Sequence, residues 1–449
     1  MTQIMLFTYR PSPGFRSYLS KQSLKEFRGS SLTEINPCPP PMRHSLAPIL
    51  ALILTSGLAG ADWAQWRGPQ GDGTSVDGGY PTSWSNRENV VWKTEIPGRG
   101  HASPIVAGER LFTVSAIKET EERILICLDR KTGKILWQQT VLKSPMERVH
   151  SENSHASSTP ACDGKKVFCS FLDGGEVLVA AYDLEGKLLW KKKPGAFSSV
   201  HGFCSTPIIY RDTIILNCDH DGDGYIVSLA REDGSERWRI ARPNKTRSYC
   251  APLIRTVDGQ DQMVLSGTKC IASYDPATGS QRWIIDGPTD QFVASPVYHE
   301  KARLFFFTGG FPDHHLMAVR PDSSGNITDT DRIVWRSTRG VAYVPSPIAA
   351  GDWFFITDDR GFAHCFDAKS GAPQWEQRLG RQHASLVSAN GLVYFLNDAG
   401  ICHIIRASNQ LEIVAKNELG EPTYASPALS NGQIFLRGEQ HLFCIGVSK

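Results

Sequence analysis

Several features that would announce a chemistry are missing from this sequence. The 48 basic and 46 acidic residues nearly cancel, for a net charge of +2. General adhesion to nucleic acid or to a membrane surface is therefore not expected, and any charge-based function must be local. There is no G-x-G-x-x-G leading into a helix, no P-loop, no H-E-x-x-H and no G-x-S-x-G, so the common signatures of nucleotide, zinc-protease and serine-hydrolase chemistry are excluded. The eleven cysteines form no Cys-x-x-Cys, no haem-type Cys-x-x-Cys-His and no adjacent pair. Most, such as Cys127, Cys169, Cys218 and Cys365, fall in apolar strand text, where buried thiols are expected. The 3.6-residue period of a helical solenoid is also absent.

What is present begins with an export signal. Residues 1–41, with "PSPGFRSYLS" and "NPCPPP", show no strand or helix period and precede a second methionine, Met42. From there Arg43, the apolar run Leu46 to Leu58 and Ala59-Gly60-Ala61 read as a secretory signal peptide. The run is too short to cross a hydrocarbon core of ~30 Å, which takes ~20 residues. We expect 1–41 as a non-native extension, 42–61 as the signal, 62–88 as an N-terminal strap and 89–449 as the folded body. The protein is expected to be exported, periplasmic or secreted, without a transmembrane segment in the mature chain. No cysteine follows the apolar run closely, so a lipid anchor is not indicated.

The body repeats itself. The phrase "ICLDRKTGKILWQQ" returns as "ASYDPATGSQRWII", and aligning on its tryptophan gives Trp92, Trp137, Trp190, Trp238, Trp283, Trp335 and Trp375, with Val414 in an eighth, degraded copy. Gly133, Gly186, Gly234, Gly279 and Gly371 precede their tryptophans by four residues, where a turn needs positive φ. A second phrase alternates with the first: "HASPIV", "SSTPAC", "CSTPII", "YCAPLI", "VASPVY", "VPSPIA", "HASLVS" and "YASPAL". Each unit reads as four short strands, and units of ~40 to 50 residues are the signature of propeller blades. The last unit supplies only three strands, and "NVVWKTEIP", residues 89–97, is the spare outer strand that would complete it. The expected fold is all-β: an eight-bladed β-propeller of four-stranded antiparallel blades with docking tryptophans.

The D-x-x-T-G-x-x-x-W phrase alternating with an S-P strand over nearly the whole mature chain resembles the pyrroloquinoline-quinone (PQQ) type propeller repeat. That resemblance implies the fold but not one function. The superfamily includes quinoprotein dehydrogenases, with PQQ and calcium in the central funnel, and a non-catalytic outer-membrane protein assembly factor that holds neither. The adjacent-cysteine pair on which many dehydrogenases stack the cofactor is missing here, as are their extra length and haem module. The first expectation is thus a non-catalytic binding scaffold of the cell envelope, whose partner is an envelope protein or an anionic small molecule. The alternative is a PQQ- and calcium-dependent alcohol or sugar dehydrogenase. A polysaccharide hydrolase would need two carboxylates ~5 to 10 Å apart, which the sequence neither supplies nor excludes.

Site residues are read from position in the repeat. Just ahead of the inner strands stand His101, His155, His201, Tyr249, Phe292, Tyr343, His383 and Tyr424, one from each blade, expected to ring one mouth of the channel. They serve either as ligand groups or as a packing plug. Arg99, Arg247 and Arg381 lie two residues before ring members, and would focus an anion or pair with neighbouring carboxylates. Asp219, Asp221 and Asp223 copy the first half of a calcium loop, but Ala230 replaces the bidentate Glu, so a hydrated turn stands beside a partial cation site. Glu152 and Asn153 match in type the Glu and Asn calcium ligands that the quinoprotein resemblance implies.

Overall fold

The computed structural model describes residues 62–447; the extension and signal peptide expected over residues 1–61 lie outside them. The first repeat forms the strands Ile105–Ala107, Arg110–Ile117, Glu122–Asp129 and Ile135–Lys143, paired antiparallel in that order from the channel outwards. Its two middle strands are buried along six consecutive residues because a neighbouring blade covers each face. The outermost strand alternates between half-buried and exposed, since one face meets water. Seven further sheets repeat the plan, giving an eight-bladed all-β propeller. The innermost strands start directly after Pro104, Pro160, Pro207, Pro252, Pro296, Pro347 and Pro427, where an edge strand tolerates a missing N–H.

The last blade takes its outer strand from the front of the body: Val90–Glu95 pairs antiparallel with His441–Ile445. Joining the two ends of the chain in one sheet closes the ring without an open seam.

The two phrases of the repeat answer each other across blade boundaries. Trp92 lies over Gly133 of the next blade's turn and donates its indole N–H to the Arg130 carbonyl at 2.8 Å. A Cβ on Gly133 would sit 2.5 Å from that ring, so the position needs glycine for space as well as for its φ of +70°. Trp137, Trp190, Trp238, Trp335 and Trp375 donate in the same way to Leu184, Arg231, Pro276, Ala368 and Ser408. Two seams differ. Where blade 5 lacks the D-x-x-T-G turn, the short strand Gly325–Asn326 pairs alongside Trp283 and the indole is fully buried without a hydrogen bond. Where Val414 replaces the tryptophan, Tyr80 and Trp84 from upstream of the propeller pack into the core shared by blades 7, 8 and 1, and the backbone N–H of Trp84 donates to Asn417 Oδ1.

The Ser/Thr of the inner phrase forms a belt. Backbone N–H groups of Ser103 and Thr159 donate to the hydroxyls of Thr159 and Thr206, and those of Ser295, Ser346, Ser385 and Ser426 to Ser346, Ser385, Ser426 and Ser103. Each bond runs from one blade to the next. Ala251 interrupts the belt at blade 4.

Residues 62–88 run across one end of the channel. Trp63 bridges to Val106 of blade 1, the Ala64 carbonyl accepts from Cys162 of blade 2, and the Gln65 amide from Ile209 of blade 3. Arg255 of blade 4 binds Gln70 and Asp72, Trp66 donates to Ser295 of blade 5, and the buried Arg67 to the Pro347 carbonyl of blade 6. Thr74–Ser75 then adds a parallel strand to Val387–Ala389 of blade 7, and Asp77 accepts from Asn431 of blade 8. One short segment therefore touches all eight blades.

Candidate functional site: the mouth of the central channel

At the opposite end the channel opens into a well of about 470 Å³. Its collar is set by the position two residues before the belt hydroxyl: His101, Ser157, Cys204, Tyr249, Val293, Val344, His383 and Tyr424. The same eight residues bound a smaller chamber of about 110 Å³ beneath, floored by Trp66 of the strap. The channel is therefore a blind well.

Of the expected ring, His101, Tyr249, His383 and Tyr424 hold collar positions, while His201 and Tyr343 line the well from the loops above. Two members are elsewhere. Phe292 is 1% exposed, in the core with Trp283 and Phe307. His155 turns its Nε2 to the Glu147 carbonyl at 2.7 Å and lines a separate groove with Arg99 and Lys118. The expectation counted rings near each strand start; counting back from the belt Ser or Thr puts Ser157, Cys204, Val293 and Val344 in those blades instead. His150, Asp359 and Gln382, which also line the well, carried no repeat signal because they sit in loops of unequal length.

The rings are held by carboxylates. His383 donates its backbone N–H to one oxygen of Asp398 and sets Nδ1 2.8 Å from the other. His101 Nε2 lies 3.0 Å from Glu439, which also holds Arg99. Burial by itself would raise the Glu439 carboxyl, but His101 and Arg99 outweigh it and hold it at about 2. Burial also lowers the His101 imidazole, against the pull of Glu439. Tyr424 lies between the two histidines, stacked on His101 at 4.6 Å and edge-on to His383 at 5.2 Å. Across the well His201 Nδ1 meets the Tyr249 hydroxyl at 3.0 Å, and burial raises that phenol strongly.

The three arginines do not stand free. Arg99 pairs with Glu439, Arg247 with Asp221 at 2.7 Å, and Arg381 grips both oxygens of Glu152 at 2.6 and 2.9 Å. Only Arg381 lines the well. The three aspartates of the calcium-like loop likewise face three different cations: Asp219 the buried Arg242, Asp221 Arg247, and Asp223 Lys245. Each belongs to its own ion pair, so in this structure the loop is a charged turn whose three carboxylates do not converge.

The fit to calcium and PQQ can be judged from the donors. Calcium takes about six to eight oxygen ligands. Both Glu152 oxygens are held by Arg381, and the Asn153 amide oxygen accepts from the Ser154 N–H and the Ser157 hydroxyl while its nitrogen donates to the His201 carbonyl. Among the described residues no three His, Cys, Asp or Glu side chains converge as a metal site. The ten cysteines of the described region are unpaired, and Cys204 alone reaches the well. This donor set does not fit a calcium-bound quinone.

The family described as outer membrane protein assembly factor BamB matches residues 82–168, 121–310 and 322–411. The chain belongs to that family. An outer membrane protein assembly factor BamB of Burkholderia pseudomallei (strain K96243) is 21% identical over 290 residues, 64% of this chain; the match spans 58% of that relative's length. The crystal structure of BamB from Moraxella catarrhalis superposes with a TM-score of 0.56 at 14% identity, covering 79% of this chain and 99% of that one, and so shares the fold. A europium-containing methanol dehydrogenase reaches a TM-score of 0.43 at 13% identity, over 77% of this chain and 89% of its own.

Proposed function

We propose that this BamB-family chain is an exported, non-catalytic scaffold of the cell envelope that holds another envelope protein. The observation that carries the reading is the family match, which spans most of the propeller. The mouth supports it: His383 is paired with Asp398, His101 with Glu439 and Arg381 with Glu152, and the Asn153 oxygen is engaged by Ser154 and Ser157. Export rests on the basic, apolar and small-residue pattern of residues 42–61. Among the described residues no helix is long and apolar enough to cross a membrane.

The test is capture. The full chain, tagged at its C-terminus and expressed in its own host, is cross-linked in intact cells and purified from the envelope fraction. Recovery with envelope proteins in constant ratio supports the scaffold. Recovery in the cytoplasm, or alone from the envelope, overturns it.

A further inference from the structure

The well is walled by rings, and its charged lining groups are the Arg381–Glu152 pair and a second carboxylate, Asp359. An anion at the mouth must take Arg381 from Glu152 and lie in a well that also holds the Asp359 carboxylate. That exchange leaves the Glu152 carboxylate without its partner. A neutral guest meets no such obstacle.

The wall also holds hydrogen-bonding capacity that the protein leaves unused. Gln382 is 2% exposed and lines the well; its amide N–H donates to the Ala384 carbonyl, but its amide oxygen accepts nothing. Asp359 accepts from the backbone N–H groups of Tyr343 and Val344, and a carboxylate has further lone pairs to offer. In the chamber below, the hydroxyls of Ser346, Ser385 and Ser426 accept from the belt and keep their O–H for a guest. A volume of about 470 Å³ lies within the range of small-molecule sites, and such sites pair an apolar wall with a few convergent polar groups.

A sugar ring has the matching chemistry: apolar C–H faces, hydroxyls that each donate and accept, and no charge. We propose that the mouth of the central channel binds a neutral saccharide unit, with its hydroxyls on Gln382, Asp359 and the belt serines and its C–H faces against the tyrosine and histidine wall. This site is independent of the scaffold reading, because partner capture neither requires nor forbids an occupied well.

The experiment titrates the mature protein with methyl glucoside, the methyl glycoside of N-acetylglucosamine and their β-linked oligomers, with methyl glucuronide as the charged comparator, by calorimetry and saturation-transfer NMR. Saturable binding of a neutral probe is expected, tighter than the glucuronide. Tyr424→Ala and Gln382→Leu should each weaken it at least about tenfold, about 1.4 kcal/mol, with an unchanged circular dichroism spectrum. Should Tyr424→Ala disturb the fold, Gln382→Leu alone decides. Glucuronide binding as tightly as the neutral probes, no saturable binding of any neutral probe, or full affinity in a folded Gln382→Leu variant would each overturn the proposal.

Discussion

The two ends of the central channel start from the same eight inner strands and finish differently. At one end residues 62–77 reach every blade, and the bonds are short and buried: Arg67 to a blade carbonyl, Trp63 at 1% exposure, an added strand on blade 7. At the other end no segment crosses among the described residues, and partly exposed histidines, tyrosines and ion pairs face a well. The strapped end spends its polar groups on holding blades together. The open end leaves Gln382 and Asp359 with acceptors to spare. The strapped end ties the blades together, and the open end is where the proposed recognition sits.

The largest expected effect comes from breaking the strapped end. Trp63→Ala should cost about 3–5 kcal/mol in urea unfolding, the usual range for losing a buried tryptophan. A cost below about 1 kcal/mol, typical of surface substitutions, would mean that the strap merely rests on the propeller. Trp84→Ala comes next. If Trp84 substitutes for the tryptophan that blade 7 lacks, its loss should match that of Trp137→Ala within about 1 kcal/mol, read in the same unfolding series. A much smaller loss would show that this seam needs no aromatic wedge.

The smallest effect belongs to the mouth. Glu439 is held at about 2 against an ordinary 4.5, so it contributes stability that is present above its ordinary value and lost as pH falls towards 2. The stability gap between the native chain and Glu439→Gln should accordingly shrink as pH is lowered through that window, in acid-unfolding curves of the two proteins. A gap that stays constant would place the carboxylate outside the His101 and Arg99 network.

Much of this architecture is written in the repeat. Trp92 and Gly133 are legible because the interface they make recurs, and a recurring contact leaves a recurring phrase. The completing strand is legible because the last repeat is one strand short. The mouth is less so. His101, His383 and Tyr424 stand in phase with the belt serine, whereas His155 and Phe292 are rings out of phase, and a ring's presence near a strand start says nothing of its direction. Arg99, Arg247 and Arg381 looked like an anion trap because sequence spacing hides their partners: Glu439 is 340 residues from Arg99, and Glu152 is 229 from Arg381. The role of Trp84 is not legible, because it fills a seam to which its own stretch of chain does not belong.

The claim most exposed to test is that this propeller is a scaffold and not a quinoprotein. Purified mature protein should be dialysed free of metal, then titrated with PQQ in the presence of calcium while binding is followed by cofactor absorbance and turnover by a dye-linked assay with alcohols and sugars. The account predicts no calcium-dependent saturation and no turnover, since Glu152 and Asn153 are already engaged by Arg381, Ser154 and Ser157. Stoichiometric PQQ uptake with dye reduction would contradict it.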